Sequence, residues 1–171
     1  YLMYIRVLHE YFNIPSKENI LTPHDITEGR YSNLKYQTDA VQLALNAIDN
    51  HNGVIIADVV GLGKSVIAST IARNLRLRTI VVAPPHLVRQ WEVYKDEFGF
   101  NASVFSAGKI ESALTHFKEI ARSNEQFLII IDEAHRFRNE YIKDYSLLHD
   151  LCSNNKVVLL TATPFNNRPN D

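Results

Sequence analysis

The chain has 171 residues, enough for one domain with a real core and too few for two full ones. Hydrophobic residues make up 46% and charged residues 22%, and the formal net charge is −1, so the chain carries no overall basic footprint that would announce nucleic acid. A single cysteine, Cys152, excludes an internal disulfide, and no apolar run reaches membrane-spanning length or has the shape of a signal peptide. Cys152 reads as a small apolar residue at a helix end, and the chain as a piece of something longer in a reducing, intracellular compartment.

In chain order, residues 1–33 read as an N-terminal arm or connector. Ile5, Leu8 and Phe12 recur at helical spacing and predict a short helix before Pro15. From Pro15 to Gly29, prolines, a glycine and many polar residues predict a loosely packed stretch. Tyr1, Tyr4, Tyr11 and Phe12 are expected to pack on this domain. From Leu34 the pattern turns regular: Val41, Ala44, Leu45 and Ile48 share one face of a helix from about Gln37 to Asn50, ended near Asn52-Gly53.

Apolar, β-branched segments follow at Val54–Ala57, Thr79–Ala83, Ala102–Phe105, Phe127–Ile131 and Lys156–Leu160. Each gap holds a helical pattern. Their expected core faces are Ile67, Ile71 and Leu75; Leu87, Trp91, Tyr94 and Phe98; Ile110, Ala113, Leu114 and Phe117; and Tyr141, Tyr145 and Leu148. Strand–helix alternation with near-continuous apolar strands predicts an α/β fold: a parallel sheet of at least five strands with helices on both faces. Such sheets bind ligands beyond the carboxyl ends of their strands, so polar signatures should fall there.

The stretch from Gly53 to Ser65 reads as a strand, a glycine loop and a helix opening near Lys64, which is the build of a phosphate cradle. Gly61 and Gly63 leave no side chain between backbone and phosphate and can take positive φ. Lys64 would reach the β- and γ-phosphates and Ser65 would ligate Mg²⁺. Asp58 stands where the usual G-x-x-x-x-G-K-[ST] pattern has its first glycine. After the second strand, Pro84-Pro85-His86 makes a stiff turn that leaves the next helix's N–H groups free for a backbone phosphate, or simply starts that helix. Ser106-Ala107-Gly108-Lys109, after the third, reads as an ordinary loop. After the fourth, Asp132 is placed to hold Mg²⁺ opposite Ser65, and Glu133 to orient or deprotonate an attacking water. After the fifth, Thr161 and Thr163 can hydrogen-bond a neighbouring carboxylate or His135. A metal-hydrolase reading of Asp132, Glu133 and His135 fails, because no second histidine stands at helical distance.

Taken as a set, these residues resemble the superfamily 2 helicase-like ATPases, and within them the Swi/Snf-type DNA translocases. Leu34-Lys35-Tyr36-Gln37 resembles the glutamine motif that reads adenine, and Asp58 to Ser65 resembles motif I. Pro84 to Val88, with Gln90-Trp91, resembles motif Ia. Asp132 to Asn139 resembles the extended motif II, and Leu160 to Pro164 motif III. The resemblance covers residues 34 to 167. It implies a RecA-like P-loop lobe over residues 34–171, the first of two, with the second lobe and its arginine fingers outside the chain.

The resemblance further implies an ATP hydrolase that uses ATP and Mg²⁺ to translocate on nucleic acid, double-stranded DNA before RNA, and that is very weakly active as one lobe. Its nucleotide-binding residues would be Gln37, Asp58, Gly61, Leu62, Gly63, Lys64, Ser65 and Val66. Lys64, Asp132 and Glu133 would act in catalysis, and Ser65 and Asp132 would hold the metal. His135, Thr161 and Thr163 would couple nucleotide to lobe closure, and Pro84, Pro85 and His86 would touch nucleic acid. Such a protein belongs in the cytoplasm of a bacterium or the nucleus of a eukaryote. Two alternatives stay open: an RNA helicase or restriction- or defence-type motor of the same superfamily, and a non-catalytic, nucleotide-gated binding module.

Overall fold

A computed structural model describes residues 19–57, 63–138 and 142–162. The chain enters through a one-turn helix, α1 (Pro23–Ile26), closed by a capping box. The Thr22 hydroxyl accepts the Asp25 N–H at 3.2 Å, and the Asp25 carboxylate accepts the Thr22 N–H at 2.9 Å, so two donors left over at the helix start are satisfied reciprocally. Helix α2 (Lys35–His51) buries Val41, Ala44, Leu45 and Ile48, as its spacing predicts, and ends at Asn52, whose left-handed φ of 58° turns the chain into β1 (Gly53–Ala57).

Helix α3 (Lys64–Leu75), strand β2 (Thr79–Ala83) and helix α4 (Val88–Phe98) follow, with a 3₁₀ turn at Pro85–Leu87. Then come β3 (Ala102–Ser106), α5 (Ile110–Ile120), β4 (Leu128–Ile131), a 3₁₀ turn at Ala134–Arg138, α6 (Ile142–Cys152) and β5 (Lys156–Thr161). The five strands form one parallel sheet in the order β1-β5-β4-β2-β3.

Because side chains alternate across a strand, the sheet has two cores. Val81, Leu128, Ile130, Val158 and Leu160 point toward α2, α3 and α4, where Trp91 and Phe98 complete the packing. Ile80, Val82, Ile129 and Ile131 point the other way, under Ile110, Ala113 and Leu114 of α5 and Leu151 of α6. Each fully buried large side chain contributes about 1.5–3 kcal/mol, and burial on both faces is what the near-continuous apolar strands demand.

Two expectations need correction. Tyr145 is 63% exposed, so of the expected face of α6 only Leu148 packs on the core, beside half-buried Leu147 and buried Leu151; Tyr141 lies outside the described residues. Residues 20–31 pack firmly rather than loosely. Asn74 on α3 clamps Leu21 through both of its backbone groups at 2.9 Å, and the Tyr31 hydroxyl donates to Glu97 at 2.7 Å with its ring against Phe98. In the sheet, β5 stands between β1 and β4, which sets Thr161 between the end of β1 and Asp132.

Candidate active site

The strand order brings the carboxyl ends of β1, β5, β4 and β2 to one edge of the sheet, and the polar signatures converge there. Gly63 closes the glycine loop with φ of 83°, the left-handed conformation that glycine tolerates best, and hands the chain to α3. The positive φ favours glycine, and a Cβ at Gly63 would sit 2.5 Å from Nε2 of Gln37, so the end of that side chain would have to shift. Gln37, in the first turn of α2, is buried, and its amide lies directly against the start of α3. The first N–H groups of a helix have no partner within it, and in α3 these are the amides of Lys64, Ser65 and Val66. Asp58, Gly61 and Leu62 lie outside the described residues.

Asp132 continues the β4 ladder by one residue, its N–H donating to Val82 O at 2.9 Å. Its carboxylate is only 6% exposed and is held at both oxygens. Oδ1 accepts the Glu133 N–H at 2.8 Å, and Oδ2 accepts the indole N–H of Trp91 at 2.9 Å. Burial pushes the carboxyl above the ordinary aspartate value. The Trp91 and Glu133 N–H donors oppose that rise, the Glu133 charge adds to it, and the Lys64 ammonium again opposes it. Lys64 is therefore near enough to Asp132 for its charge to act on the carboxyl.

Glu133 takes φ of 53°, a left-handed conformation that costs a non-glycine residue on the order of 1 kcal/mol and that clusters at functional sites. The strain turns the chain out of the sheet and sends the Glu133 side chain toward His135. Nε2 of His135 lies 3.3 Å from Glu133 Oε2, and its Nδ1 lies 3.3 Å from Oγ1 of Thr161 at the end of β5. Thr163 lies outside the described residues. In the turn before α4, Pro84 is buried while Pro85 and His86 are exposed, followed by exposed Arg89 and Gln90.

Sequence reasoning placed Trp91 on the core face of its helix and missed its polar end. The available signal was chemical: a buried indole N–H is a donor with no alternative tautomer, so it needs an acceptor, and Asp132 is it.

A family profile described as the type III restriction enzyme, res subunit, matches residues 95–166. An ATP-dependent helicase of Bacillus subtilis, the uncharacterized YqhH, is 32% identical over 147 residues, covering 75% of this chain and 26% of that protein. The CHD3-type chromatin-remodeling factor CHR7 of Arabidopsis thaliana is 28% identical, covering 91% of this chain and 15% of that protein. The chain belongs to the superfamily 2 helicase-like ATPases of Swi/Snf type. Its fold is that of the Sulfolobus solfataricus SWI2/SNF2 ATPase core, determined in complex with double-stranded DNA, at a TM-score of 0.68 and 19% identity over 88% of this chain and 35% of that one. The chain thus spans about a quarter or less of the length of these relatives.

Proposed function

We propose that this chain is the ATP-binding lobe of a nucleic-acid-dependent ATPase that moves along double-stranded DNA by hydrolysing Mg·ATP. The observation that carries the reading is the buried carboxylate of Asp132, held at both oxygens at the carboxyl edge of the sheet, with Glu133 turned out of the sheet beside it. Phosphoryl transfer leaves a protein little covalent work, so catalysis is positioning and charge stabilisation. Gln37 and the stretch from Asp58 to Val66 would bind the nucleotide, with Lys64 on its terminal phosphates. Glu133 would orient the attacking water and take its proton.

The donor chemistry suits a hard divalent cation, which takes oxygen ligands: a carboxylate from Asp132 and a hydroxyl from Ser65. When bound, Mg²⁺ supplies charge neutralisation on the phosphate oxygens. Proline-stiffened Pro84-Pro85 and exposed His86 stand at the same sheet edge, where they would meet the DNA backbone. His135 with Thr161 and Thr163 would relay nucleotide state to a second RecA-like lobe carrying the transition-state arginine. Contacts with phosphates would be salt-dependent and largely blind to sequence. A protein of this kind works where the genome is, in the bacterial cytoplasm or the eukaryotic nucleus.

The test is the intact protein with Glu133→Gln. Duplex DNA should stimulate ATP hydrolysis in the wild type and fail to do so in the variant, while nucleotide binding survives. Equal stimulation in both would sink the reading. The match to a restriction-enzyme profile favours a second reading, the motor of a restriction or defence complex. Strand-displacement assays set against displacement of a triplex-forming strand from intact duplex separate an unwinding motor from a pure translocase.

A further inference from the structure

We propose that Trp91 is a positioning residue for the metal-holding carboxylate: its indole N–H fixes the orientation of Asp132. The inference rests on the role just assigned to Asp132 and goes beyond it, because nothing in that role requires a tryptophan on α4.

Asp132 sits at the end of β4, where its carboxyl group can turn about the last side-chain bond. Two donors stop it. The Glu133 N–H holds Oδ1 at 2.8 Å and the Trp91 indole holds Oδ2 at 2.9 Å, so the plane of the carboxylate and the directions of its remaining lone pairs are set. The donors differ in kind. Glu133 N–H is backbone beside Asp132 and moves with it, whereas Trp91 reaches across from a separate helix, 41 residues away in sequence. Trp91 is itself only 1% exposed, set in the core with its ring edge-on to Tyr94 at 5.9 Å. It is therefore a fixed anchor and not a mobile cap.

An indole nitrogen only donates, so the contact favours a carboxylate oxygen free to accept. Partners of this kind, bound to a ligating group and not to the metal, typically change metal affinity by roughly 10–100-fold when removed. Packing alone does not account for the arrangement, since a phenylalanine would fill most of the same space without the N–H.

The experiment measures how strongly Mg²⁺ tightens binding of a fluorescent, non-hydrolysable ATP analogue to the intact protein. Affinity is taken with Mg²⁺ and with EDTA, and the ratio isolates the metal's contribution without any turnover. Two variants are compared with wild type: Trp91→Phe, and replacement of Trp91 by 3-benzothienylalanine, which keeps the bicyclic shape and puts sulfur in place of the N–H. Both should keep the metal-free affinity, and the Mg²⁺ ratio should fall by about 10–100-fold. If the phenylalanine variant does not fold, the benzothienyl variant decides. A wild-type ratio in the shape-preserving variant overturns the inference and leaves the ATPase reading standing. No Mg²⁺ effect in the wild type removes the metal role of Asp132 and both proposals fall together.

Discussion

His135 places Nε2 3.3 Å from Oε2 of Glu133, joining the residue that would act on water to the end of the neighbouring strand. The carboxylate only accepts, so Nε2 donates to it, and in the neutral imidazole Nδ1 would then accept from the Thr161 hydroxyl 3.3 Å away. Thr161 is buried at the last position of β5, between the end of β1 and Asp132. A change in nucleotide that moved Glu133 would therefore reach β5 through one imidazole. Thr161→Val keeps shape and removes the hydroxyl. It should lower the DNA-stimulated turnover about tenfold, the size of one lost hydrogen bond at about 1.4 kcal/mol, and leave the KM for ATP unchanged. His135→Ala combined with it should be no worse than His135→Ala alone, because the two act as one unit. Unchanged stimulation in Thr161→Val would dismiss the relay.

Gly63 and Gln37 form a second coupled pair. At φ of 83°, an alanine at position 63 meets backbone strain of about 1–3 kcal/mol, and its Cβ meets Gln37 Nε2 at 2.5 Å. Gly63→Ala should lower the urea midpoint without changing the denaturant slope. Adding Gln37→Ala should recover the steric part and not the backbone part, giving a favourable coupling energy in the double-mutant cycle. Strict additivity would mean that the amide swings away freely and does not hold the start of α3.

The elements were legible because burial imposes periodicity. Thr79–Ala83 was readable to the residue, since a strand buried on both faces is apolar throughout. The face of α6 was legible only in part: Leu148 packs on the core as its spacing predicts, while Tyr145 has the same helical spacing and stays exposed, and only tertiary packing decides between such neighbours. Local spacing put Lys64 at the start of a helix and Asp132 just past a strand, and the structure has both there. Strand order was not legible. Nothing in the run of Lys156–Thr161 says that it inserts between β1 and β4, and the His135–Thr161 contact depends on that insertion. The Trp91–Asp132 bond escaped for the same reason: pattern reading sorts residues by face and does not see a hydrogen bond between elements.

Cys152, the last residue of α6, behaves as the small buried residue its context predicts. Burial raises its thiol from the ordinary 9.0 to about 11. Between these values the unfolded thiol has lost its proton while the folded one keeps it. The unfolded state then binds fewer protons, and stability falls as pH rises. The loss should begin near pH 9 and reach on the order of 2–3 kcal/mol by pH 11, at about 1.4 kcal/mol per pKa unit. Comparing unfolding free energies of wild type and Cys152→Ala across this range isolates the slope, which should be shallower in the variant. Iodoacetamide at pH 8 should modify the native protein far more slowly than the urea-unfolded one. Equal labelling rates would show that the thiol is open to solvent.

Lys64 supplies the most direct check on where nucleotide sits. Its ammonium lies within electrostatic reach of Asp132 and opens α3 behind Gly63, so a phosphate in the cradle would lie between the helix amides and both side chains. Nucleotide at about 100 times its dissociation constant should stabilise the protein by roughly 2.7 kcal/mol. Thermal melting of the intact protein with and without Mg·ADP should show that shift in the wild type. In Lys64→Ala the shift should disappear at the same nucleotide concentration while the ligand-free transition stays close to wild type, since a partly exposed lysine adds little to the fold. A shift that survives in Lys64→Ala would place the nucleotide elsewhere on the protein. The roles given to Gln37, Ser65 and Glu133 would fail with it, because each depends on a phosphate lying at the start of α3.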